Sequence, residues 1–224
     1  DERLGFERII GASKQILEIF EQARRAARSE CTVLVTGEIY VRCDPFSNDR
    51  IIDRLEQRGL HVRLAPAVEY IEYASHVAAD LYPGLLKHLS RRIQNRILAS
   101  AYNAMAPHLG WPPRPAVHQL MHAGDKYVRK TLRGEAILTV GAAVHEYHEG
   151  HIHGVVSVGP LECMPNKIAE AQLFHATEQE GLPALTIPYN GDPVDPEILD
   201  SFAFEIHERF RHGRRLHDAI PSHA

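Results

Sequence analysis

The 224 residues carry 25 Lys and Arg against 29 Asp and Glu, so the formal net charge of -4 does not favour nucleic acid or a membrane surface as a partner. Three cysteines are too few for a disulfide framework, and no apolar run reaches the ~18 residues that a membrane helix requires. The chain opens Asp1-Glu2-Arg3 without a signal-peptide pattern. We therefore expect a protein of the reducing cytoplasm that binds neither nucleic acid nor membrane.

The first part of the chain alternates helix and strand patterns. An apolar face predicts a helix over 13–28, and the β-branched segment 32–36 predicts a strand buried on both faces that ends at 37–38. A second helix is expected over 48–58, and alternating apolar residues predict a second strand over 60–65.

The middle of the chain has a different pattern. Apolar residues at helical spacing predict helix over 68–105, with a break at Pro83-Gly84. The proline-dense stretch 107–115 contains Trp111 and is expected to be a connector. We therefore place a helical insertion at about 67–132.

The alternation then resumes, with helix expected over 135–149, strand over 154–158, helix over 166–180, strand over 184–189 and helix over 196–211. Repeated units of this length predict an α/β fold, a Rossmann-like parallel sheet flanked by helices and carrying the helical insertion. Ligands of such sheets bind beyond the carboxyl ends of the strands.

One cysteine lies at such an end. Cys163 stands between the strand at 154–158 and the helix at 166–180. A helix N-terminus favours the thiolate, which is the form that ligates iron or zinc. The alternative is a small apolar side chain that fills a gap in the core.

Four motifs then occur in order: GEIYVR at 37–42, DPFSND at 44–49, GEAILTVG at 134–141, and Gly159-Pro160 followed by Cys163-Met164-Pro165. Over about 36–212 the chain resembles the C-terminal region of large proteins related to 2-hydroxyacyl-CoA dehydratases and their activases. The resemblance implies Rossmann-like domains that hold a [4Fe-4S] cluster through cysteines, while an ATP-driven activator supplies a low-potential electron for dehydration of a 2-hydroxyacyl-CoA.

The resemblance makes Cys163 a candidate cluster ligand, and Cys43, on the loop after the first strand, is a second candidate. Cys31 precedes its strand and is expected at the opposite end of the sheet. A cubane needs about four ligands, so another domain or subunit would have to supply the rest. Cofactor-binding candidates near the same edge, for which turn formation and helix capping are the alternative, are Glu38, Arg42, Asn48 and Glu135.

A second resemblance covers the N-terminus. Segments 6–13 and 31–38 are similar to the opening of the AAA+ domain of enhancer-binding transcription activators, but the lysine of a phosphate-binding loop does not follow. The chain thus resembles a chimera. Its expected parts are an N-terminal helix and first strand at 1–38, the dehydratase-related domain at 39–214 and a tail at 215–224.

Histidines are concentrated at one place in the chain. Imidazoles of this kind suit zinc, nickel or copper, although the zinc-protease pattern HExxH is not present. The alternative, which we favour, is a polar helix end and turn. The four histidines are His145, His148, His151 and His153.

Together these features predict an iron–sulfur domain related to the dehydratases, a component of a lyase system without turnover of its own. Its expected partners are other domains or subunits of that system, and an acyl-CoA. One alternative is a non-catalytic α/β binding or assembly domain. Another is a fragment of a sigma-factor-dependent regulator that lacks ATPase activity.

Overall fold

A computed structural model of the chain describes residues 31–82, 84–109 and 111–218, without the side chains of 85–88, 109 and 213–218. The helix expected over 13–28 lies outside the described residues, as does the end of the tail. No helix in the described ranges is long and apolar enough to cross a membrane.

Within the described residues, four parallel strands form one sheet in the order β2-β1-β3-β4. They are β1 (Thr32–Gly37), β2 (His61–Leu64), β3 (Gly154–Pro160) and β4 (Ala184–Tyr189). The central strands β1 and β3 are almost wholly buried, as expected for strands covered on both faces. The predicted α/β class is confirmed, and β1 belongs to the same sheet as β2, β3 and β4.

The described part of the chain contains these helices: α1 (Ile39–Cys43), α2 (Ile51–Glu56), α3 (Val68–Leu81), α4 (Leu85–Leu109), α5 (Val117–Asp125), α6 (Ala136–His148), α7 (Met164–Glu180) and α8 (Pro196–Asp218). The core is divided between the two faces of the sheet. On one face α3, α5, α6 and α7 pack around Leu34 and Val155. On the other face α1, α2 and α8 pack around Val33 and Val156.

The helix predicted over 48–58 is shorter in the structure. It begins only at Ile51, because Asp49 and Arg50 take left-handed backbone angles, φ 50° and 52°, that a right-handed helix cannot include. A turn therefore separates α2 from α1. The sequence patterns did not predict α1.

The predicted connector over 107–115 is also too long. Helix α4 continues through Pro107 to Leu109, and a further helix, α5, follows inside the predicted insertion, although the sequence patterns did not give it separate bounds. The backbones of α5 and α6 lie so close together that a Cβ on Gly141 would come within 2.0 Å of the Leu120 carbonyl oxygen. This contact explains why α6 has a glycine at position 141. Hydrophobic periodicity alone does not reveal such a contact.

Candidate functional site

The connections between strands run in opposite directions from the centre of the sheet. From β1 the chain moves outward to β2, and after the helical insertion it returns to β3, on the other side of β1, and moves outward to β4. Such a switch point opens a crevice beyond the carboxyl ends of β1 and β3. The loops that border it follow Gly37 and Gly159, as the sequence predicted.

The two loops are held together by backbone contacts. Gly37 has φ 110°, and a Cβ there would lie 2.0 Å from the Val158 carbonyl oxygen. The same oxygen accepts a hydrogen bond of 2.8 Å from the Glu38 N–H. A glycine is thus required at the floor of the crevice, because neither the backbone angle nor the space admits a side chain.

Cys163 is the residue that precedes α7, in the N-cap position, and it is half-buried. Its N–H donates to the Pro160 carbonyl at 3.1 Å, and its carbonyl accepts from the Lys167 N–H at 2.9 Å. Its sulfur makes no capping hydrogen bond. The backbone of Cys163 therefore fixes the start of the helix, while the thiol is left for other chemistry beside the first-turn N–H groups.

Asn166 was not among the candidates from sequence, although it lies beside Cys163 in the first turn of α7. Its side chain is buried against Gly159, and its Oδ1 accepts from the Ser157 hydroxyl at 3.2 Å. Its Nδ2 has no hydrogen-bond partner among the described residues. A polar residue directly after Cys163-Met164-Pro165 was the sequence signal that could have indicated it.

Glu38 and Asn48 take part in local structure. The Glu38 carboxylate caps α1 by accepting from the N–H groups of Tyr40 at 3.1 Å and Val41 at 2.8 Å. The buried Asn48 donates from Nδ2 to the Val41 carbonyl at 2.8 Å and accepts at Oδ1 from the Ile51 N–H at 3.2 Å. These contacts match the capping and turn alternative, and a role in cofactor binding stays a prediction.

Arg42 and Glu135 form the charged part of this edge. Arg42 is buried, with its guanidinium 3.4 Å from the carbonyl oxygens of Gly37 and Pro66. Burial raises the pKa of Glu135, the negative charge of Glu38 adds to the rise, and the positive charge of Arg42 opposes it. Three of the four predicted cofactor-binding residues, Glu38, Arg42 and Glu135, thus lie within electrostatic reach of one another.

The other two cysteines differ in setting. Cys43 is exposed at the last position of α1. Cys31 is buried at the amino edge of the sheet, where its sulfur lies 3.5 Å from His207 Nδ1, and the predicted opposite placement is confirmed. Throughout the described ranges, no group of three or more His, Cys, Asp or Glu side chains is placed to hold a metal ion. The ligand set of a complete cubane is therefore not found there.

The histidine segment forms the end of α6 and the turn after it. His148 Nε2 lies 2.6 Å from a Glu180 carboxylate oxygen, and His151 Nδ1 lies 3.2 Å from Glu146. The Thr32 N–H donates to His153 Nδ1 at 2.9 Å. These three imidazoles contact different partners, so the structure matches the polar helix end and turn that the sequence favoured.

Comparison with known proteins gives no match, whether against family models, curated proteins or solved structures. The fold, the position of Cys163 and the charges around it are therefore the observations on which a function has to rest.

Proposed function

We propose that this chain is a component domain of a 2-hydroxyacyl-CoA dehydratase or activase system, in which Cys163 is a ligand of an iron–sulfur site completed by another domain or subunit. The observation that carries the proposal is the position of the Cys163 thiol. Cys163 lies at the switch point, immediately precedes α7, and its sulfur makes no capping hydrogen bond. A thiolate there gains from the N–H groups and the dipole of the helix.

The number of ligands that a cluster needs is the reason why we expect another domain or subunit to complete the site. A [4Fe-4S] cluster takes about four ligands, mostly thiolates, and the described residues contain no group of three that could bind a metal. The donor set of the described residues alone does not fit a whole cluster. When bound, such a cluster would supply one-electron chemistry at low potential. The role of this domain is to hold the Cys163 thiolate in place at the junction of β3 and α7.

The local roles of Glu38 and Asn48 support a domain without turnover of its own. Their polar atoms are engaged in capping α1 and in the turn before α2. Two other charged residues lie at this edge, the buried Arg42 and the half-buried Glu135. We assign to them the orientation of a partner or of the acyl-CoA. Turnover would then require the partner domain.

Anaerobic reconstitution tests the proposal. The chain is treated with iron, sulfide and a small thiol that can complete the coordination, and bound iron and acid-labile sulfide are measured after desalting. We expect both in the wild type and a loss of both in Cys163→Ser. The matched control is Cys31→Ala, at the far edge of the sheet, which should keep them. Cys43→Ser shows whether the second candidate contributes.

Two results would overturn the proposal. One is equal iron and sulfide in the wild type and in Cys163→Ser, which would place the metal elsewhere. The other is a folded wild type that takes up neither. That second result would favour the alternative of a non-catalytic binding or assembly domain, which the missing group of three metal ligands in the described residues also supports.

A further inference from the structure

A second cavity lies in the helical insertion, separate from the crevice that holds Cys163. Its volume is about 490 Å³, and its walls come from α3, α4 and the segment that leads into α5. Neither the described residues of the β1 loop nor those of the β3 loop line it. Its chemistry is therefore independent of the proposed iron–sulfur site.

Positive charge dominates the wall of this cavity. Three guanidinium groups line it, from Arg91, Arg92 and Arg114, while Glu72 is the one carboxylate among its described lining residues. Glu72 is already in an ion pair with Arg114. The charges of Arg91 and Arg92 are thus not neutralised from within the wall.

The two arginines of α4 that line the cavity, Arg91 and Arg92, have no acidic partner in the described part of the chain. Arg91 Nη1 lies 3.4 Å from His76 Nδ1, and His76 in turn lies 3.6 Å from the exposed Asp80. Arg92 is exposed at the rim. A cation that is not paired within the protein is available to pair with a ligand.

Arg114 provides a buried anchor. Its side chain is 9% exposed, and one guanidinium nitrogen contacts Glu72. The other, Nη1, has no hydrogen-bond partner among the described residues. Three residues later the nine-residue helix α5 begins at Val117, and its N-terminus adds positive potential to the same wall. The polar groups thus converge from α3, α4 and the segment that leads into α5, which follow one another in the chain.

We propose that this cavity binds an oxyanion group, a phosphate or a carboxylate, of a small ligand. Guanidinium groups bind such groups through paired N–H donors, and Arg91 and Arg92 both line the cavity without acidic partners among the described residues. The side-chain amides of Asn95 and Asn103 in the same wall add polar contacts. Small apolar residues, among them Ala99 and Val117, line the remainder and leave room for an uncharged body.

Calorimetric titration at constant ionic strength tests this proposal, with inorganic phosphate in one arm and succinate in the other. The variants are Arg91→Gln and Arg92→Gln, each of which should weaken binding by about tenfold, the loss expected for one charge-assisted contact. The control is Arg96→Gln, which removes the same charge from the same helix at an exposed position outside the cavity. The control should bind as the wild type does.

Binding of phosphate alone would identify a phosphate ligand, and binding of succinate alone a carboxylate ligand. Binding of both would support the shared oxyanion chemistry. The proposal fails if neither anion binds to the folded wild type. It also fails if Arg96→Gln weakens binding as much as the cavity variants, since the effect would then be one of general charge.

Discussion

Arg63 on β2 donates to Glu146 on α6 across 2.9 Å, with the two side chains only 11% and 5% exposed. Because the pair is buried, removal of one partner leaves the other charge poorly compensated, which costs about 3 to 5 kcal/mol. For Arg63→Met the lower end is expected, because His151 Nδ1 still lies 3.2 Å from Glu146. We expect Arg63→Met and Glu146→Gln each to lower the free energy of unfolding by about 3 kcal/mol.

Urea unfolding of the two single variants and of the double variant Arg63→Met with Glu146→Gln checks this expectation. The double variant should lose less than the sum of the single losses, because no unpaired charge remains. Additive losses, or single variants within about 0.5 kcal/mol of the wild type, would contradict the account of the pair.

Gly37 should be intolerant of a side chain. Its φ is 110°, and a Cβ would meet the Val158 carbonyl oxygen at 2.0 Å, so Gly37→Ala has to separate the β1 and β3 loops. We expect a loss of at least about 3 kcal/mol, or no soluble folded protein.

The matched control is Gly150→Ala. Gly150 also has a positive φ, 72°, but nothing lies within 4 Å of its Cβ position, so only the backbone cost of about 1 kcal/mol remains. Thermal unfolding compares the two variants. Equal losses at both glycines would show that the contact with Val158 does not matter.

Glu69 on α3 makes stability depend on pH. Burial raises its pKa to about 7, although the positive charge of Arg42 opposes the rise. The folded state therefore binds this proton more tightly than the unfolded state does. Its contribution is fully present below the unfolded value of 4.5 and is lost as the pH rises through about 7.

The size of this loss is about 3 kcal/mol at most, and it should be absent in Glu69→Gln. Urea unfolding over that pH range measures it. The control is Glu178→Gln, an exposed position on α7, which should keep the wild-type profile. A Glu69→Gln profile that falls as steeply as the wild type would contradict this assignment.

The chain should not bind ATP. After β1 the loop continues as Gly37-Glu38, and the Glu38 carboxylate occupies the first N–H groups of α1, where a phosphate would have to bind. Calorimetry with Mg-ATP should give no saturable binding tighter than about 100 μM. Tighter binding would support the alternative of a nucleotide-driven regulator.

The sequence predicted the layered fold because the central strands β1 and β3 are mostly apolar, as strands buried on both faces are, and because helical apolar patterns alternate with the strands. It did not predict the break at Asp49 and Arg50, where two successive residues that are not glycine take left-handed backbone angles. Helix α5 lies within the predicted insertion but was not predicted as a separate helix.

The candidate site was predictable where it depends on topology. The carboxyl ends of β1 and β3 meet at the switch point, so the edge that holds Cys163 and Arg42 followed from the strand order. The ion pair between Arg114 and Glu72 could not be predicted from the spacing of residues in the sequence, because it joins a loop to a helix 42 residues away.

The most direct measurement of the central claim is alkylation of Cys163 before and after anaerobic reconstitution, quantified by peptide mass spectrometry. In the metal-free chain we expect labelling of the exposed Cys43 and of Cys163, while the buried Cys31 is labelled only after denaturation. A cluster bound through Cys163 predicts that its labelling is lost once iron and sulfide are incorporated and returns when a chelator removes the iron. Labelling of Cys163 that is the same with and without iron and sulfide would contradict its role as a cluster ligand.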